Sequence, residues 1–98
     1  MREKAIEQRL VKAVRENGGM CPKFVSPGFS GMPDRFVLMP GGRLAFVEVK
    51  APGMRPRPLQ AARHAELRRL GFPVFVLDCP EQIPEILREL EVYHLDSE

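Results

Sequence analysis

The chain has 98 residues, 44% of them hydrophobic, and a formal net charge of +2. That length suits a single domain spanning 1–98. No stretch approaches the ~20 apolar residues of a membrane span, which argues against an integral membrane protein. Two cysteines, Cys21 and Cys79, make neither a disulfide scaffold nor a zinc site; buried free thiols in a reducing cytosol are expected. The start, Met1-Arg2-Glu3-Lys4, leads into a charged amphipathic segment without a signal-peptide core, so a cytoplasmic location is expected. Charge is uneven along the chain. Residues 1–80 carry 14 basic and 7 acidic side chains, whereas 81–98 carry 1 and 6. A basic body is compatible with nucleic-acid binding, and the acidic end reads as a solvated, frayed tail from about residue 92.

Residues 2–17 read as a helix, with Ile6, Leu10, Ala13 and Val14 at helical spacing and Asn17-Gly18-Gly19 as its stop. Residues 20–25 form a short apolar run interrupted by Pro22, which suits an edge strand. Two prolines and two glycines make 26–33 a loop. Residues 35–39 and 43–50 are strands joined by a Pro40-Gly41-Gly42 turn, expected to form an antiparallel hairpin. A loop with three prolines covers 51–58. Leu59–Leu70 is a helix and Gly71 stops it. The run Phe72–Asp78 reads as a central strand buried on both faces, and a last helix covers about 82–91, with Pro84 in its first turn. One parallel crossover then gives an α/β fold with a mixed four-stranded sheet flanked by helices.

The chemistry concentrates where Pro33-Asp34 is followed, after thirteen residues, by Glu48-Val49-Lys50. Side chains alternate along a strand, so Glu48 and Lys50 point the same way as Leu44 and Phe46, while Ala45, Val47 and Val49 point the other way. Charge at the end of an apolar strand is costly unless partnered. The hairpin brings Asp34, at the start of its first strand, to the end of the second. Two carboxylates and a lysine at one sheet end make a candidate Mg²⁺ site, in which Asp34, Glu48 and the Val49 backbone carbonyl offer hard oxygens and Lys50 stands by a metal-bound water. A plain Glu48–Lys50 salt bridge is the competing reading. Glu7 sits at the flank of the first helix's apolar stripe, within reach of the sheet edge, and Glu3 competes with it for that role. Gln60 opens the second helix, where its amide could orient a water or a phosphate oxygen.

Together, Glu7, the Gly31-Met32-Pro33-Asp34-Arg35 run, the Phe46–Gly53 run (Phe-Val-Glu-Val-Lys-Ala-Pro-Gly) and Gln60 resemble the VRR-NUC domain, the virus-type replication-repair nuclease of the PD-(D/E)XK superfamily. The resemblance covers roughly Glu3–Leu90. It implies a restriction-endonuclease-like core in the order αβββαβ(α). It also implies Asp34 and Glu48 as metal ligands, Lys50 as the catalytic lysine, Glu7 as the helix-borne acid and Gln60 as an additional motif residue. The activity implied is Mg²⁺- or Mn²⁺-dependent hydrolysis of phosphodiester bonds in DNA, in bacterial or phage replication and repair. Compact members of this family are expected to act as homodimers on branched DNA such as four-way (Holliday) junctions. DNA contacts are expected from Arg35, from Arg55 and Arg57 in the following loop, and from Arg63 and Arg68 on the second helix, acting on phosphates rather than bases. Other readings are a non-catalytic DNA-binding or assembly module on the same fold, and a small structural domain with a fortuitous salt bridge. Metal-dependent cleavage separates them.

Overall fold

The computed structural model describes residues 1–97, with side-chain surroundings through Glu91. Helix α1 spans Glu3–Glu16 and buries Ile6, Leu10 and Val14 completely, one side chain per turn of its apolar stripe. It ends as the sequence suggests. The Asn17 side-chain amide donates to Ala13 O at 2.8 Å, and Gly18 takes φ +86°, a left-handed conformation natural to glycine.

Strands β1 (Arg35–Met39) and β2 (Arg43–Val49) form the expected hairpin, in register Arg35 to Val47 and Met39 to Arg43. Gly41 and Gly42 both take positive φ at the turn. From β2 the chain crosses through α2 (Pro58–Arg69) to β3 (Val74–Leu77), which pairs with β2 in parallel, Glu48 level with Val76. A 3₁₀ turn, Pro80–Gln82, then leads into α3 (Ile83–Ser97), with Pro84 in its first turn. The expected frayed end beyond about residue 92 lies where side chains are not described.

The helices divide between the two sheet faces as the alternation of β2 requires. Ala45, Val47 and Val49 pack with Ile6, Leu10 and Val14 of α1 and Ile83, Ile86 and Leu90 of α3. On the opposite face, Phe46 packs with Leu67 of α2, Val74, Phe24, Phe36 and Leu44. Its ring lies 5.2 Å from that of Phe36 and meets Phe72 edge-on at 6.0 Å.

Two expectations about the sheet are corrected. It has three strands, in order β1-β2-β3, rather than four. Residues 20–25 do run antiparallel beside β1, but only as isolated bridges, Met20 to Leu38 and Lys23 to Arg35. Pro22 lacks the N–H that would continue the ladder; it contributes only its carbonyl, to Phe36 N at 3.1 Å. The segment still covers the outer edge of β1. In addition, the central strand is β2, whose residues Ala45–Val49 are all buried, while β3 lies at an edge with Phe75 and Val76 half-buried. A continuous apolar run arises at an edge here because α2 covers one of its faces and α3 the other. The thiols differ too. Cys21 is buried, and burial pushes it up to about 11, leaving it inert. Cys79 is only partly buried and donates to the Glu81 carboxylate.

Gly19 joins α1 to this edge under tight constraint. A Cβ there would lie 2.4 Å from Leu38 O and 2.6 Å from Met39 Sδ. The backbone oxygen cannot retreat, because Leu38 O accepts from Met20 N at 2.9 Å. Gly19→Ala is therefore expected to cost about 2–4 kcal/mol of stability, read as a lowered urea midpoint with unchanged slope.

Candidate active site

One register step beyond the Arg35–Val47 pair, Asp34 comes level with Glu48 at the open end of the hairpin. Its Oδ2 accepts the Val49 N–H at 3.0 Å, which fixes the carboxylate against the end of β2. Pro33, just before it, is buried. On the other side of β2, the Lys50 N–H donates to Leu77 O of β3 at 2.9 Å. The strand end is thus held from both neighbours.

Glu48 is 2% exposed and points toward α2, as expected from its partners in the alternation. Its Oε2 accepts from the Gln60 side-chain amide at 3.1 Å and lies 3.5 Å from Lys50 Nζ. Its Oε1 has no hydrogen-bond partner, nor does Nε2 of the equally buried His64, 3.8 Å away. Burial foremost, then the charge of Asp34, pushes the Glu48 carboxyl up to about 7, against the pull of Lys50. His64 is shifted down, first by burial and then by Arg68. An imidazole held neutral cannot neutralise the carboxylate.

Gln60 has two partners. Its Oε1 accepts the Arg57 N–H at 2.8 Å, closing the first turn of α2, while its amide nitrogen donates to Glu48. The sequence reading expected Gln60 to orient water or phosphate. Here it orients a carboxylate. Sequence reasoning assigns His64 no role at this site. The signal was present: His64 follows Gln60 by four residues, which puts both on one face of α2.

Glu7 is placed differently from Asp34, Glu48, Lys50 and Gln60. Its Oε2 pairs with Arg35 Nε at 2.9 Å, and Arg35 also donates to Cys21 O at 2.7 Å. Arg35 shares a sheet face with Val47, its register partner, so the Glu7–Arg35 pair lies on the α1 side and Glu48 on the α2 side. Glu7 does line a cavity of about 490 Å³ with Asp34, Val49 and Glu3. Among the described residues, no three His, Cys, Asp or Glu side chains converge closely enough to enclose an ion.

The arginines expected to reach DNA also separate. Arg55 and Arg57 are exposed in the loop after Lys50. Arg63 is engaged three ways: with Ser30 O at 3.1 Å, with Glu66 at 2.7 Å, and over the Phe29 ring at 3.7 Å. Arg68 donates to Val74 O at 2.9 Å, tying α2 to β3.

The donor set nevertheless suits a hard divalent cation. Asp34 and Glu48 are carboxylates at one strand end, and a buried carboxylate oxygen without a partner is a coordination position in search of charge. Asp34, Glu48, Lys50 and Gln60 thus meet at one end of the sheet, as the resemblance to a nuclease class of α/β domain implies. Comparison with known proteins makes the class specific. The model of the VRR-NUC domain matches residues 2–80, and the chain belongs to that family. A curated relative, "Putative nuclease p44" of Acyrthosiphon pisum secondary endosymbiont phage 1, is 54% identical over 78 residues, covering 80% of this chain and 84% of its own length. A solved structure described as a VRR_NUC domain superposes with a TM-score of 0.82 at 31% identity, covering 88% of this chain and 94% of that one. Among the described residues, no helix is long and apolar enough to cross a membrane.

Proposed function

We propose that this domain is a divalent-metal-dependent endonuclease that hydrolyses phosphodiester bonds in DNA, selective for branched structures and acting as a homodimer. The observation that carries the reading is the buried Glu48, whose Oε1 has no partner while Oε2 is held by Gln60 and Lys50. Asp34 and Glu48, with the Val49 carbonyl, would hold Mg²⁺ or Mn²⁺. The ion would supply Lewis-acid polarisation of the scissile phosphate and acidify a water.

The chain's own residues supply the rest. Lys50, 16% exposed beside Glu48, would hold the attacking water and offset charge developing on the phosphate. Gln60 keeps the Glu48 carboxylate in one orientation. Glu7 lines the same cavity as Asp34, and its pairing with Arg35 makes it a wall of the site in this state. Arg55 and Arg57 remain available to phosphates, and cutting two strands calls for the two sites that a symmetric pair provides.

The test is cleavage of labelled four-way junction, flap and linear duplex DNA with Mg²⁺, Mn²⁺ or EDTA, the parent beside Asp34→Asn. Metal-dependent cutting by the parent, fastest on the junction and lost in the variant, is expected. A folded, metal-loaded protein that binds DNA without cutting any substrate would favour the non-catalytic module instead.

A further inference from the structure

Alongside α1 lies a trough of about 650 Å³ whose charged lining the site chemistry does not use. Lys4, Lys12 and Arg15 contribute from the helix, at spacings that keep them on one face. Lys23 closes the other wall from the segment beside β1. All four are exposed, and among the described residues none has an ion-pair or hydrogen-bond partner. Arg63 and Arg68 on α2, by contrast, are committed to intramolecular bonds. The trough's other charges nearly cancel: Glu7 is matched by Arg35, which leaves Glu16 against four free cations.

A row of cations on a helix is ordinarily a solvated face. Two features distinguish this one. It is concave, and it adjoins the cavity that Asp34 and Val49 of the candidate site line, with Lys4, Glu7 and Lys23 shared between the two. From Lys4 to Arg15 it extends about 17 Å along the helix. In B-DNA that length spans about five phosphates of one strand at 3.4 Å each.

We propose that this trough is the track by which one DNA strand reaches the site, with Lys4, Lys12, Arg15 and Lys23 neutralising its phosphates. The inference rests on the nuclease reading for the choice of ligand. It moves the main backbone contact from Arg35, the loop after Lys50 and α2, where the sequence pointed, to α1. Such contacts set position and affinity without reading bases, so the effect should be largely independent of sequence and steeply dependent on salt.

The experiment is fluorescence-anisotropy binding of a duplex and of a four-way junction across a NaCl series. Ca²⁺ replaces Mg²⁺, carrying the same charge with longer, more flexible coordination. The parent is compared with the double variant Lys12→Ala/Arg15→Ala, and with Arg88→Ala on α3 as a control cation outside the trough. Both trough substitutions replace exposed helical residues by a good helix former, so the thermal midpoint should hold. The expected result is a salt slope shallower by about 2 and a Kd weakened at least about 10-fold at fixed salt for the double variant. The control should match the parent in both slope and Kd. A double variant with the parent's slope overturns the track and assigns the trough to another ligand, such as an acidic protein. If the parent binds with the trough-dependent slope yet never cuts with Mg²⁺ or Mn²⁺, the track stands and the nuclease reading falls. If it neither binds nor cuts, both fall.

Discussion

Lys50→Ala is expected to lower the rate of DNA cleavage by about 10³-fold, the scale on which removing one preorganised charge acts on a transition state. Lys50 Nζ lies 3.5 Å from Glu48 Oε2 and is the cation beside the two carboxylates at this strand end. Losing it removes a group that holds water and offsets phosphate charge. It removes no oxygen that would bind an ion. Metal affinity should therefore survive, provided it is measured where Glu48 is ionised. Without Lys50 to pull it down, the Glu48 carboxyl would rise beyond about 7, so calorimetric titration with Mn²⁺ belongs above pH 8. Retained Mn²⁺ binding with lost cleavage is the predicted pattern. Cleavage at the parent rate would remove Lys50 from the chemistry.

Glu48→Gln should abolish cleavage and raise the stability of the metal-free protein. The folded chain holds the Glu48 carboxyl near 7, above its ordinary 4.5. A group whose folded pKa is raised contributes stability that is fully present below the unfolded value and is lost as pH climbs through the folded one. The metal-free parent should thus be most stable near pH 4.5 as far as this group is concerned, lose stability between about pH 4.5 and 7, and then level off. Glutamine carries no charge to bury. Its carbonyl can take the Gln60 amide, and its amide can face the neutral His64 Nε2. The variant's profile should be flat across that window and lie above the parent by roughly 2 kcal/mol at pH 8. Thermal melts in EDTA from pH 4.5 to 8.5 give the comparison. Adding Mn²⁺ should raise the parent's midpoint and leave the variant's nearly unmoved. A variant less stable than the parent at pH 8 would mean that Glu48 is a structural salt bridge.

The sequence was most informative where one local rule governs. Period-two alternation placed Glu48 and Lys50 on the face of Phe46, and that face is the one α2 covers. The Pro40-Gly41-Gly42 turn set the hairpin that brings Asp34 to Glu48. What remained hidden depends on how elements meet. That Pro22 reduces 20–25 to bridges follows from where its missing N–H falls against β1. That β3 is an edge depends on the sheet order, which an apolar run does not encode. Arg63 and Arg68 read as DNA contacts because Ser30 and Val74 accept from them through backbone carbonyls, invisible in a list of side chains; of their polar partners, Glu66, three residues after Arg63, is the one the spacing offers. Glu7 lines a cavity together with Asp34, but its pairing with Arg35 depends on which face of β1 the arginine takes. His64 stays unmarked in the sequence because a lone histidine carries little signal until its neighbour, Glu48, is placed.

The hairpin has a consequence for which changes in length this domain can absorb. Asp34, Glu48 and Lys50 all belong to one continuous stretch of chain that doubles back at Gly41-Gly42. Their meeting is fixed by counting residues through that bend, at the end of the hairpin farthest from the chemistry. One extra residue in the body of β2 would hand the positions of Glu48 and Lys50 to their valine neighbours and turn the charges into the apolar layer beneath α1 and α3. The loop after Lys50 is under no such parity and can grow or shrink until Gln60 loses its reach. Among related chains, insertions should therefore gather after the lysine and be rare between the aspartate and the lysine.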